Sequence, residues 1–244
     1  MKYGILGDIH ANLSALQTAL DQMDRAQVDA VLSVGDVVGY GAAPKECIDL
    51  LREVGAIVVK GNHDAACTGE LDDRHFNAYA RAAVKWTRDT LTLKEIHWLV
   101  ELPMTATLEH CQVSHGTLYR PELFDYIMST TDADPSLDIM ERPVCFVGHS
   151  HVPITLMRLR EEPDRTAYTL DDDIDVGEAR ASLVNVGSVG QPRDEDPRTA
   201  YAIYDTDAAR VQVLRSEYDI ELEAHRIRDA GLPTVLADRL FLGV

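Results

Sequence analysis

Residues Val31–Gly41 read VLSVGDVVGYG. An apolar run (Val31, Leu32, Val34) passes directly into Gly35-Asp36 and then into a glycine-spaced loop. A buried strand that stops at Gly-Asp delivers one carboxylate to the carboxyl edge of a sheet, where open α/β sheets place their ligands. By itself this pair is an ordinary turn signal. Its weight comes from four other apolar runs in the chain that also end in small clusters of Asp, Asn, His and Gly.

Upstream, Tyr3–Leu6 reads as a first strand ending in Gly7-Asp8-Ile9-His10. Asn12 is a helix N-cap, with Leu13, Leu16, Leu20 and Met23 at helical spacing behind it. Downstream, a helix with Pro44 in its first turn closes at Gly55, and Ala56–Val59 forms a third strand ending in Lys60-Gly61-Asn62-His63-Asp64. Three such β-α units with short connections predict parallel strands and right-handed crossovers.

Residues 71–102 read as an amphipathic helical segment without ligand-like clusters, either a helical cap or a plain packing insertion. From Thr105 the pattern turns β-rich. Thr105–Val113 reads as a strand ending in Ser114-His115-Gly116, and Val144–Val147 as one ending in Gly148-His149-Ser150-His151. Further runs at Ile154–Leu159, Thr166–Leu170, Leu183–Val186, Thr199–Tyr204 and Val211–Leu214 predict a second sheet with antiparallel connections. The tail from Ile220 reads as helix broken at Gly231-Leu232-Pro233. With no repeat, low-complexity tract or linker, residues 1–244 are expected to form a single domain.

At 244 residues, 45% hydrophobic and 26% charged, the chain has a globular composition. Its 41 acidic against 23 basic residues give a net charge of −18, which disfavours duplex nucleic acid and anionic lipid as partners. The four cysteines are scattered, with no C-x-x-C pair, which argues against a disulfide framework or a thiolate zinc site. No signal peptide or membrane-length apolar stretch is seen, so a cytoplasmic location is expected. The acidic run Asp171–Glu178 fails the EF-hand spacing and reads as a solvated turn.

The strand-end residues are Asp8, His10, Asp36, Asn62, His63, His115, His149 and His151. Five of the nine histidines fall in these termini; His75, His97, His110 and His225 do not. Each cluster has a bland explanation: helix capping for Asp8-x-His10, a turn for Gly61–Asp64, a core or surface histidine for the rest. Their joint occurrence has none. Imidazole and carboxylate together are the ligand set of divalent zinc, iron and manganese. Eight groups exceed one ion's needs, so two ions are implied, with Asp36 as the natural bridge.

In order, the blocks D-x-H, G-D, G-N-H-D, a lone His and G-H-x-H, spanning residues 8 to 151, resemble the calcineurin-like metallophosphoesterases. The segment Asn185–Asp194 (NVGSVGQPRD) resembles that family's bacterial phosphodiesterase-like branch. The resemblance implies two mixed β-sheets packed together and flanked by helices, a four-layer αββα sandwich. It implies Asp8, His10 and His151 on one metal, Asn62, His115 and His149 on the other, and Asp36 between them. His63 would stabilise or protonate the leaving oxygen. The protein Ser/Thr phosphatases of this superfamily continue G-D-x-V-D-R-G, whereas Gly39-Tyr40 here replaces the second Asp and the Arg. A phosphodiester or small phosphorylated metabolite is therefore expected ahead of a phosphoprotein.

Two dications about 3.5–4 Å apart can hold a hydroxide between them for in-line attack and clamp the phosphoryl oxygens. Bound to a metal, water ionises near 7 rather than 15.7, roughly. Arg193 is the late-chain cation expected beside the substrate, unless it pairs with Asp194 or Glu195. Two rival readings remain: hydrolysis of a nucleotide anhydride such as a dinucleoside polyphosphate, and a non-catalytic scaffold that keeps the fold. The scaffold should have lost ligands or the His63 equivalent, and none is missing.

Overall fold

The computed structural model describes residues 1–244. In chain order the elements are β1 (Lys2–Leu6), α1 (Leu13–Arg25), β2 (Ala30–Ser33), α2 (Pro44–Glu53), β3 (Ile57–Val58), α3 (Asn62–Thr68), α4 (Ala78–Thr90), α5 (Leu93–Val100), β4 (Thr105–Thr107) and β5 (Cys111–Ser114). They continue with α6 (Thr130–Ile139), β6 (Val144–Val147), β7 (Ile154–Leu159), β8 (Thr166–Thr169), β9 (Asp173–Asp175), β10 (Ala179–Asn185), β11 (Thr199–Asp205), β12 (Arg210–Ser216), α7 (Ile220–Asp229) and α8 (Thr234–Asp238).

Two mixed six-stranded sheets result, ordered β3-β2-β1-β11-β12-β9 and β4-β5-β6-β10-β7-β8. They pack face to face between helices. The alternation along β6 shows how: Val144 and Phe146 enter the inter-sheet core, while Cys145 and Val147 face the outer layer around α6. On the opposite side Leu16, Ala19 and Met23 of α1 and Ile48 and Leu51 of α2 cover the first sheet. Gly4 lets α1 sit close, since a Cβ there would lie 2.5 Å from Met23 Sδ.

Three strand expectations are corrected. Thr199–Tyr204 and Val211–Leu214 do not join the second sheet. Only one edge of β1 is taken by β2, and β11 pairs antiparallel along the other, carrying β12 with it. Thr105–Val113 is two strands rather than one, because the chain reverses around Glu109 and pairs Thr105 with Ser114. The acidic run holds a short edge strand, β9, paired with β12, where Asp173 and Asp175 meet Arg210. The 71–102 segment holds α4 and α5. Its start, from Leu71 to Ala80, walls a cleft over the site, and Leu99 packs into the core beside Cys67 of α3.

The topology aims the loops. The parallel strands β1, β2 and β3 in one sheet, and β5, β6 and β10 in the other, run their carboxyl ends to a common edge. Backbone hydrogen bonds lock the loops there: His10 N–H to Asp36 O (2.9 Å), Gly148 N–H to His115 O (2.8 Å) and Gly190 N–H to Asp8 O (3.0 Å).

Candidate metal centre

All eight strand-end residues meet at this edge, each at most 8% exposed. Asp8 and His10 follow β1, Asp36 follows β2, Asn62 and His63 open α3, His115 follows β5, and His149 and His151 follow β6. Asp8, His10 and His151 form one group of donors and Asp36, His115 and His149 another, with the ligating atoms of each group within 4.8 Å. Asn62 joins the second through Oδ1, 3.0 Å from His115 Nε2. Asp36 reaches both: its Oδ2 lies 3.6 Å from His10 Nε2 and 3.4 Å from His115 Nε2.

The backbone is bent to do this. Asp8, His10, Asp36, His149 and His151 all have φ between 48° and 70°, the left-handed region that costs a non-glycine residue of order 1–3 kcal/mol. Such strain concentrated on the donor residues marks a functional centre. Two neighbouring glycines serve the same end by leaving room. A Cβ on Gly61 would lie 2.1 Å from Asp36 Oδ1, and one on Gly148 would lie 2.4 Å from Asp8 Oδ2.

The donor set fits divalent metal ions. His10, His115 and His151 donate their Nδ1–H groups to the carbonyls of Val38 (3.1 Å), Val34 (2.9 Å) and Gln191 (2.6 Å). That fixes the tautomer and turns each Nε2 inward, as outer partners of metal-binding histidines do. His10 Nε2 and His151 Nε2 then face each other at 3.1 Å. Burial holds both rings well below their ordinary pKa, so each Nε2 presents a bare lone pair and neither can donate to the other. Two nitrogens at about 2.0–2.1 Å from one tetrahedral cation would stand roughly 3.3–3.4 Å apart, close to this spacing. The pair is spaced for a cation.

The other group carries protons that a metal must displace. Burial alone would lower His115, but the Asp36 carboxylate, helped by Asp8, raises it to about 9. Asp8 is pushed up to about 7 by burial, with the Asp36 charge adding to it. Asp36 itself is held well below the carboxylate range: His115, His63 and His10 outweigh its own burial. Raised in this way, His115 favours the imidazolium between the Asp8 and Asp36 carboxyl groups, and a metal held by His115 would displace its Nε2 proton. Affinity should therefore rise with pH between about 7 and 9, with about one proton or more released per protein. Calorimetry in buffers of different ionisation enthalpy reads this directly; buffer-independent heats would remove the imidazolium.

Beyond the donors, Arg193 does not pair with Asp194 or Glu195. Asp194 is bonded by Arg215, and Arg193 Nη2 lies 3.3 Å from Tyr40 Oη and 3.1 Å from Gln191 Oε1. It stands beside the cluster with its buried Nε unpartnered. The Asn185–Asp194 segment supplies inner scaffolding: Ser188 Oγ and Gly190 N–H both bind Asp8 O, and Gln191 O orients His151. Sequence reading missed Tyr40, Phe76, Phe124 and Tyr126, whose rings surround the histidines, and placed His75 outside the site although it lines the cleft. Tyr40 had a signal in its Gly-Tyr-Gly setting; Tyr126 had none.

A family model for the calcineurin-like phosphoesterase superfamily domain matches residues 1–209. The chain belongs to this superfamily. A crystal structure of a metallophosphoesterase from Sphaerobacter thermophilus is similar over 100% of this chain and 99% of its own, with a TM-score of 0.87 and 40% identity. An uncharacterised protein from Methanocaldococcus jannaschii is 32% identical over 98% of this chain and 97% of its own length. A hypothetical protein from Pyrococcus horikoshii shares the fold at a TM-score of 0.82, with 18% identity over 100% of this chain and 98% of its own. The chain thus belongs to a phosphoesterase superfamily that is metal-dependent, and its His/Asp clusters are in place. No helix is long and apolar enough to cross a membrane.

Proposed function

We propose that this protein hydrolyses a phosphodiester or a small phosphorylated metabolite with two divalent ions, drawn from manganese, zinc and iron. Asp8, His10 and His151 would hold one ion, Asn62, His115 and His149 the other, with Asp36 shared. The single observation carrying this reading is the position of Asp36 Oδ2 between His10 and His115, at 3.6 and 3.4 Å. When bound, the metal pair supplies Lewis-acid charge for a water nucleophile and for the phosphoryl oxygens.

The chain's own groups do the rest. Arg193, which lines a neighbouring opening with Tyr126, Met128 and Ser150, offers a cation to an arriving phosphate, against an overall charge of −18. His63 lines the cleft, and its backbone N–H holds Asp36 Oδ1 at 2.8 Å, so the ring is fixed relative to the bridge. From there the ring serves the leaving oxygen. The substitution of Gly39-Tyr40 for Asp-Arg supports a diester or small metabolite over a phosphoprotein. The acidic balance supports a partner other than duplex nucleic acid or membrane, and a cytoplasmic setting agrees with four free cysteines.

The test is a metal-stripped sample re-loaded with Mn²⁺, Zn²⁺ or Fe²⁺ and assayed on bis(p-nitrophenyl) phosphate and p-nitrophenyl phosphate. Stripping should abolish turnover, re-loading should restore it, and the diester should have the higher kcat/KM. Activity indifferent to chelation would end the metal reading; a monoester preference would end the diester one.

A further inference from the structure

A cleft of about 550 Å³ opens directly above the donors, with Asn62, His63 and His149 in its floor. That is the size of a small-molecule site and far more than a phosphoryl group fills. Its walls are aromatic on both sides. On one, Tyr40 and Phe76 flank His63, with ring centroids 4.4 and 4.9 Å away. On the other, Tyr126 stacks on His149 at 3.8 Å and 19°, and Phe124 meets His115 edge-on at 6.0 Å. Leu71 and Leu123 add apolar surface to each wall. Tyr126 and Leu123 are 51% and 46% exposed, large apolar surface left open beside a polar centre.

The rim is polar. Asp72, His75 and Asn77 line it. Asn77 commits its side-chain oxygen to the Ala80 N–H (2.9 Å), which leaves its amide NH₂ to offer. An apolar slot between aromatic walls, with hydrogen-bonding groups at its open edge, suits a flat ring system with polar edges. An alkyl chain would leave the rim groups unused.

We propose that this cleft binds the base of a nucleoside and that the leaving group of the substrate is that nucleoside. The proposal rests on the phosphoesterase reading and narrows its substrate to nucleotide esters. Hydrolysis breaks the P–O bond to the nucleoside oxygen, forms a P–O bond to the oxygen of water, and returns a proton to the nucleoside oxygen as a hydroxyl. His63 lines the same cleft, so a nucleoside seated there would bring its oxygen beside that ring. The helical segment that begins at Leu71 then acts in substrate selection, since Leu71, Asp72, His75, Phe76 and Asn77 all come from its start.

The test measures binding apart from turnover. Adenosine, ribose and p-nitrophenol are titrated calorimetrically into the Mn²⁺-loaded protein, and each is tried as an inhibitor of bis(p-nitrophenyl) phosphate hydrolysis. Adenosine should bind at least about 10-fold more tightly than ribose, the scale of one base stacked on aromatic side chains. It should also bind more tightly than p-nitrophenol, because only the nucleoside uses the rim. Phe76→Leu and Tyr126→Leu should each weaken adenosine roughly 5- to 10-fold. Phe76 also packs against the core, whereas Tyr126 is half-exposed, so the second variant stands if the first misfolds. Equal affinity for adenosine and ribose, a p-nitrophenol affinity matching adenosine's, or an unmoved affinity in Tyr126→Leu would overturn the proposal. Adenosine binding without any ester hydrolysis would instead overturn the phosphoesterase reading on which it rests.

Discussion

Asp36→Asn is expected to lose both metal ions together and to have no measurable turnover at micromolar metal. The carboxylate is 1% exposed, and its two oxygens have separate duties. Oδ1 accepts the His63 backbone N–H at 2.8 Å, while Oδ2 faces His10 at 3.6 Å and His115 at 3.4 Å, one imidazole from each donor group. An amide can keep the first contact, so the loop should fold. It cannot keep the second, because the negative charge between the two ions disappears and an NH₂ meets ring nitrogens or cations. Loss of an outer partner of a metal ligand already costs about 10–100-fold in affinity. A shared inner ligand should exceed that for each ion. Metal content per protein by elemental analysis, beside a thermal melt of the stripped protein, decides it. Retention of one ion at full stoichiometry would mean that Asp36 serves a single site.

The legibility of this centre in the sequence has a physical basis. A ligand at a strand end needs a carboxylate or imidazole, an adjacent glycine where another loop presses in, and an apolar run behind it. All three are local, so Gly35-Asp36, Gly61-Asn62-His63 and Gly148-His149 could be read directly. Gly61 and Gly148 are glycine because Asp36 and Asp8 crowd their Cα positions. Strand partnership is not local. Nothing in Thr199–Tyr204 says that the free edge of β1, nearly 200 residues earlier, is its partner, and the sheet assignment failed there. The turn inside Thr105–Val113 was hidden for a related reason: Leu108-Glu109-His110 carries no glycine or proline to announce it. The cleft walls were equally silent. Phe76, Phe124 and Tyr126 look like ordinary apolar positions until the fold sets them around His63, His115 and His149.

His63→Gln is expected to retain both metal ions and lose up to about 10²–10³ in kcat, the span for removing one hydrogen-bond donor to a developing oxyanion, with the glutamine NH₂ recovering part of it. The structure also specifies which donor it is. Burial pushes His63 down to about 4, and Arg193 and His115 add to this against the opposing pull of Asp36. The ring is therefore neutral at pH 7. Its Nδ1 is buried without a partner and lies against Gly39, where a Cβ would come within 2.3 Å. A proton there would be an unsatisfied buried donor, which costs about 1–3 kcal/mol. The proton accordingly sits on Nε2, and His63 serves the leaving oxygen as a neutral N–H donor. The phosphatase-type aspartate cannot be restored by Gly39→Asp, since that position has φ 88° as well as no room for a Cβ. A neutral donor makes a specific claim about pH. Its contribution to kcat should be flat from about pH 5 to 8, so the ratio of wild-type to His63→Gln rates should not change across that interval. A ratio that collapses with an apparent pKa near 7 would show instead that bound substrate converts His63 to an imidazolium, and that it acts by full proton transfer.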